Sequence, residues 1–376
     1  MASFRGGGYM LKKMEKAVKS LRKAGRRENF AAFFVCLNIF LLSCIGGFFY
    51  LNMHGFFLKE KEFRIFGAVF PDTSDEYYHE ILTQLETSIG AEGDFLLSRD
   101  CGYDFELQGS LMRELADRGA ETIFVCPCRD SGLQDAIREC MARGVRIILV
   151  GRSCQGAEDA YAVITSDDRT AGETLAGYID VELNSAKILL LGREGDASSR
   201  ERIESFRSRI VGNAEESGDR KIETGGSRTP DDSDEGRQKS DENGFEIVRT
   251  VQVENGKKEM EKAWNEIRGE LRQGGKFDLI AAADEKLAAG AYAALKEAGC
   301  EDRVRIVAVD GSPVGKRMLR ASGYLATVME YPSILASEAV KQAYNKQEQE
   351  PGKTICTQVK LVTKNIIYSY DIDKWE

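Results

Sequence analysis

The sequence predicts an α/β protein of two doubly wound, mainly parallel-sheet lobes, preceded by one segment apolar enough to cross a membrane. Three observations predict it. From Lys59 onward, strand-length apolar runs alternate with longer runs whose apolar residues recur at helical spacing. The strand-like runs are apolar throughout, so both faces of each sheet must be covered, as in parallel sheets flanked by helices. A chain of 376 residues is too long for one ordinary core, which favours two lobes.

The first 58 residues are of another kind. Residues 1–29 carry nine Lys and Arg against only Glu15 and Glu28, so the remainder is more acidic than the overall formal charge of −9. An acidic body argues against nucleic acid as a partner, because phosphate neutralisation needs a clustered basic face. Residues 30–58 hold no Lys, Arg, Asp or Glu, and about 20 apolar residues suffice to cross a bilayer. The basic residues before the span predict a cytoplasmic tail (1–29), a transmembrane helix or signal anchor (30–58) and an extracytoplasmic body. A cleaved signal peptide and a lipoprotein signal ending in "LLSC" at Cys44 are the alternatives. Against both, apolar sequence continues past Cys44 and no small-x-small cleavage site follows.

Within the body, "FRIFGAVF" (63–70) predicts the first strand, and Tyr78, Leu82, Leu85 and Ile89 mark the helix after it. "DFLLS" is the second strand, a helix covers roughly 106–118, and "TIFVCP" is the third strand. Leu133, Ile137, Cys140 and Met141 form the next helix face, followed by strands "RIILVG" and "YAVITS". The unit then repeats: helix 169–183, strand "KILLLG", helix 198–210, strand "FEIVRTVQV", helix 257–272, strand "LIAAA", helix 285–298 and strand "RIVAV". Residues 213–244 break this rhythm. They hold ten acids and five bases with only Ala214 and Ile222 apolar, and predict a disordered acidic insertion that cannot bury enough surface to offset its ordering entropy.

Seven of the nine cysteines lie in the body at spacings that fit neither a zinc ribbon nor a disulfide framework, so buried free thiols are expected. A Cys126–Cys154 or Cys128–Cys154 disulfide is the alternative. With only His54 and His79 present, no His-based metal site and no cofactor are expected.

In doubly wound sheets, ligands bind beyond the carboxyl ends of the strands. Those ends carry Asp72, Asp75, Tyr77 and Tyr78; Asp167, Asp168 and Arg169; Arg200 and Arg202; "ADEK"; Asp310; and Glu330. Such a set suits a polyol: carboxylates accept from hydroxyls, Arg donates to oxygens, and aromatic faces pack on the C–H face of a sugar. Asp75 and Asp167 also stand where helix N-caps would. Arg202 on a charged helix is as consistent with solvation, and adjacent Tyr77 and Tyr78 cannot both face one core stripe. Asp310, where "IVAVD" meets "GSP", has three candidate roles: nucleophile, metal ligand, or acceptor for a neutral ligand. No phosphate-binding loop, nucleophile elbow or metal partner accompanies it, so the acceptor role remains and no enzymatic activity is expected.

These motifs, in order, resemble the type I periplasmic binding proteins of the sugar-binding, ribose-binding-like branch. The likeness covers about residues 63–370 and rests on "FGAVFPDTSDEYYHEI", "TIFVCPCRDSGLQDAIRECMARGVRIILVGR", "ITSDDRTAGETLAGYI", "SSRERIESF", "AAADEKLAAGAYAALKEAG", "VAVDGSPVGKRMLRASGYLATVMEYP" and "VKLVTK". The resemblance implies two lobes joined by three crossings near 181, 330 and 359 that close on a ligand like a clam. The lobes would be 63–181 plus 331–358 and 182–330 plus 359–376. Position by position it implies ligand contacts from Asp75, Tyr77, Tyr78, Asp167, Arg202, Asp310 and Glu330; Asp168, beside Asp167 at the same strand end, completes the candidate set.

Two positions depart from that branch: Ala283 stands where an Asn is usual, and Glu330 where a Gln is usual. Losing an amide and gaining a carboxylate moves the expected ligand away from ribose, toward an amino-bearing sugar or another small polar molecule. The anchor would hold the body beside a membrane partner and raise its effective concentration there. Delivery to an ABC-type permease is one expected role. Presentation of the lobes, with a degenerate cleft, to a membrane histidine kinase is the alternative.

Overall fold

The computed structural model describes residues 7–53, 62–219, 244–320, 323–345 and 350–375. They form two compact units, residues 1–62 and 63–376. The first unit is a helix, α1 (Gly7–Met53), and its stretch Phe33–Leu51 is long and apolar enough to cross a membrane. Residues 54–58, the end of the expected span, lie outside the described residues.

The second unit alternates β and α. It runs β1 (Ile65–Phe70), α2 (Glu76–Ala91), β2 (Phe95–Asp100), α3 (Phe105–Asp117), β3 (Ala120–Val125), α4 (Gln134–Ala142), β4 (Arg146–Gly151) and β5 (Ala162–Ser166). It continues through α5 (Asp168–Glu182), β6 (Ser185–Glu194), α6 (Ala197–Asp219), β7 (Gly244–Glu254), α7 (Glu259–Arg272), β8 (Leu279–Ala282), α8 (Glu285–Glu297) and β9 (Arg305–Asp310). It ends with α9 (Pro313–Arg320), β10 (Tyr324–Met329), α10 (Pro332–Tyr344), β11 (Lys353–Thr357) and β12 (Lys360–Thr363). Two six-stranded sheets result, in the orders β11-β5-β4-β3-β1-β2 and β12-β10-β9-β8-β6-β7. All pairings are parallel except β10 with β12. Uniformly apolar strands meet this demand, since helices cover both faces of each sheet and the central strands are almost fully buried.

The chain passes between lobes at the β5–α5, β10–α10 and β11–β12 junctions. The first passage departs from expectation. It lies at 166–168 and not near 181, because α5 belongs to the second lobe. There Ala171, Leu175, Ala176 and Ile179 bury into the core formed with β6, β8, β9 and β10. Gly172 permits this: a Cβ there would stand 2.1 Å from Ser205 Oγ and 2.2 Å from the Arg202 carbonyl, so α5 and α6 touch backbone to backbone. The expected acidic insertion is also shortened, since α6 runs on to Asp219 and β7 begins at Gly244. Residues 220–243 lie outside the described residues. All nine cysteines are free, and the thiol that meets Cys128 is that of Cys101, not that of Cys154.

Candidate functional site

Between the lobes, at the carboxyl ends of both sheets, lies a cavity of about 190 Å³. It has room for roughly six waters at about 30 Å³ each, the scale of one monosaccharide. Tyr77 and Tyr78 come from the first turn of α2, held by Asp75, whose carboxylate accepts from the Tyr77 N–H at 3.0 Å. Asp310 ends β9 and Glu330 follows β10, both reaching the same space.

Arg202 organises the cavity floor. Its Nε donates to Asp168 (2.7 Å), Nη1 to the Ala283 carbonyl (3.1 Å) and Asp310 (3.4 Å), and Nη2 to both Glu330 oxygens (3.0 Å each). Asp168 and Glu330 stand on two of the three passages, so this guanidinium ties the hinge to the cleft. Its donors are engaged by protein groups, which makes it a clamp for the Asp310 and Glu330 carboxylates. Burial pushes the Asp168 carboxyl up despite the adjacent Arg202. Burial, then Asp284, Glu330 and Glu285, push the Asp310 carboxyl well up against the pull of Arg202. Asp310 also has a positive φ of 141°, a backbone conformation that non-glycine residues adopt only under strain, and Gly311 follows at 70°. A strained strand-end carboxyl aimed into a cavity is the kind of feature a functional site retains.

Two further arginines lie at the carboxyl ends of apolar strand runs, in "ILVGR" and "LLLGR": Arg152 directly after β4 and Arg193 in the last two residues of β6. Arg193 sits between Asp284 (2.9 Å) and Glu259 (3.0 Å). Arg152 donates to the Tyr78 hydroxyl (3.0 Å) and pairs with Asp196 of the other lobe at 2.8 Å. Burial raises the Asp196 carboxyl, but Arg152 and Arg193 outweigh it and hold the group below the usual carboxylate range. Lys286 bridges to Asp75 across the cleft. At the rim, Arg200 pairs with Asp130 at 2.7 Å, and the Asp130 N–H donates to the Gly195 carbonyl at 2.9 Å. Glu285, below Asp310, accepts from the Ser312 N–H (2.7 Å), the Ser312 hydroxyl, the Thr327 hydroxyl (2.6 Å) and the Gly311 N–H (3.2 Å). Burial nevertheless pushes its carboxyl up to about 7.

Of the eight residues singled out in the sequence, six line this cavity: Asp75, Tyr77, Tyr78, Arg202, Asp310 and Glu330. Asp168 stands behind it as a partner of Arg202. Asp167 does not line it; it caps α5, accepting from the Thr170 N–H at 2.9 Å and hydroxyl at 2.8 Å. Tyr77 and Tyr78 both reach the cavity although they are adjacent, because the first turn of α2 points at the cleft while Tyr78 also packs in the first lobe's core. Sequence reasoning missed Arg152, Arg193, Asp196 and Trp375. The repeated apolar-strand–Gly–Arg pattern marks the two arginines, whereas nothing local marks Asp196 or Trp375. Among the described residues no group of three or more His, Cys, Asp or Glu side chains is placed to hold a metal ion.

The comparisons agree with this architecture. The chain is 22% identical over 299 residues to the D-xylose-binding periplasmic protein of Escherichia coli (strain K12), covering 78% of this chain and 81% of that one. It is 25% identical over 150 residues to the ribose import binding protein RbsB of Bacillus subtilis (strain 168), or 39% of this chain and 48% of that one. Among solved structures, an ABC transporter solute binding protein from Bacillus halodurans C-125 with bound myo-inositol superposes with a TM-score of 0.67 at 18% identity, over 83% of this chain and 99% of that one. The myo-inositol binding protein of Caulobacter gives 0.67 at 19% identity, over 84% and 98%. A family model of the periplasmic binding protein domain matches residues 66–351, so two parallel-sheet lobes around a charged cleft are here the body of a member of the periplasmic binding protein family.

Proposed function

We propose that this protein binds a sugar or similarly small polyol in the interlobe cavity, outside the cytoplasm, and serves uptake by an ABC-type permease. One observation carries this reading. A cavity of monosaccharide size at the strand ends of both lobes is lined by carboxylates, arginines and aromatic rings, the complement a polyhydroxylated ring requires. The relatives bound to or named for xylose, ribose and inositol support the same ligand class. The lining holds seven carboxyl groups (Asp75, Glu76, Asp196, Asp284, Glu285, Asp310, Glu330) against four cations (Arg152, Arg193, Arg202, Lys286). Burial pushes Asp310 and Glu285 up, and the five acids that remain still outnumber the cations, which favours a ligand bearing an amino group over a purely neutral one. The apolar helix at 33–51 supports a tether beside the membrane partner.

The test is thermal unfolding of the full chain in detergent with a panel of pentoses, hexoses, inositols and amino sugars. A ligand at 100 times its Kd stabilises by about 2.7 kcal/mol. Amino sugars are expected to give the largest shifts. A flat response across the panel would count against sugar binding.

A further inference from the structure

The segment after β12 is fastened to the second lobe and then enters the cleft. A short 3-10 turn (Ile367–Ser369) buries Ile367 in the second lobe's core, with Tyr370 and Ile372 packed against it. Lys316 on α9, itself fully buried, donates its Nζ to the carbonyls of Asp371 (2.8 Å) and Lys374 (2.6 Å). Arg317 pairs with Asp373 at 3.3 Å. This strap holds Trp375 at the mouth of the cleft. The indole is a shared wall: it lines the inner cavity and also an outer recess bounded by Glu76, His79, Arg317 and Asp373. Across the cleft it meets the Tyr77 ring edge-on, with centroids 5.7 Å apart and planes at 65°. Its Nε1–H is buried and donates to no protein group, although a buried indole N–H ordinarily finds an acceptor.

We propose that Trp375 is a ligand-contacting residue: its ring packs beside Tyr77 on the bound molecule, and its free N–H donates to a ligand oxygen. The proposal deepens the sugar-binding reading above and rests on it. Trp375 belongs to the second lobe and Tyr77 to the first, so opening the lobes parts the pair. Contact by the indole thereby couples occupancy of the cavity to closure.

The chain has two tryptophans. The other, Trp264, lies on α7 beneath Arg268 and does not line the cavity, so Trp264→Phe leaves Trp375 as the sole indole reporter. The full-length W264F chain in detergent is titrated with D-xylose, D-ribose, D-allose, myo-inositol and D-glucosamine, and affinities of wild type, Trp375→Ala and Trp375→Phe are measured by calorimetry. For the sugar that binds wild type, the expected results are a change in Trp375 emission and at least a tenfold loss of affinity in W375A. W375F keeps a smaller aromatic ring and loses the donor, for a loss of about three- to tenfold, less than in W375A. Trp375 is partly exposed at the surface, and an unfolding temperature near wild type checks that W375A is folded. Equal affinity in W375A overturns the role of Trp375 and leaves sugar binding standing. Tighter binding in W375A overturns it too, by making the indole a plug. A wild-type chain that binds none of the five sugars removes the sugar-binding reading, and the proposal with it.

Discussion

Arg202→Met is the substitution with the largest expected consequence. The replacement is long and apolar, so it fills most of the vacated space, but it leaves Asp168, Asp310 and Glu330 around a site with no cation. Arg202 and Glu330 are 7% and 2% exposed, respectively, so water cannot substitute for the lost guanidinium. Removing one partner of a buried ion cluster costs about 3–5 kcal/mol. At about 2 °C per kcal/mol for a body of this size, Tm should fall by about 6–10 °C at pH 8. The loss should shrink at pH 5. Burial already pushes the Asp168 and Asp310 carboxyls up against the pull of Arg202. Without that pull these two bind protons still more tightly in the folded state than in the unfolded one, so the variant regains stability as pH falls toward their unfolded values. Arg200→Met is the control, because Arg200 stands two residues away on the same helix. Its pair with Asp130 is 59% exposed on the arginine side, and such pairs contribute about 1 kcal/mol or less. The assay is thermal unfolding of the full chain at both pH values. A fall below about 2 °C in R202M, or an equal fall at pH 5 and pH 8, would refute the clamp role.

Other substitutions separate stability from binding. Asp310→Gly relieves a strained backbone worth about 1–3 kcal/mol, but it removes an acceptor of both Arg202 and the Glu285 N–H, which costs about 3–5 kcal/mol in a buried ion cluster. Tm should fall, by a few degrees less than in R202M, while sugar affinity, read by calorimetry, falls at least tenfold. Burial pushes the Glu285 carboxyl up to about 7 in the folded state, against about 4.3 for an unperturbed glutamate. Its proton therefore stabilises fully below about 4.3, and that contribution is lost as pH rises to about 7, at most about 1.4 kcal/mol per pH unit. The margin of wild type over Glu285→Gln should accordingly narrow between pH 5 and 7.5 and then stay constant, as followed by Tm. Gly172→Ala places a Cβ against Ser205 and the Arg202 carbonyl, so α6 must shift; a cost of about 1–3 kcal/mol is expected, together with weaker sugar binding.

The strands, their parallel packing and the candidate acids at their ends were legible because they are local: apolar runs, helical spacing and the residue that follows each run. The lobe to which α5 belongs was not. An amphipathic stripe shows which helix face is buried and not what it is buried against, and the close approach at Gly172 decides that. The same limit applies to Arg202. Its helix and approximate role could be read, but its partners lie 34, 108 and 128 residues away, and only the folded chain brings Asp168, Asp310 and Glu330 onto one guanidinium. Trp375 is the extreme case, since a lone tryptophan in a polar stretch carries no periodic signal and gains its place through Lys316 and Arg317 holding the strap. By itself, then, the sequence determined an α/β body with acids, arginines and aromatics at its strand ends. The tertiary structure decided which of these face one cavity and which hold one another, because burial and charge pairing are properties of assembled surfaces.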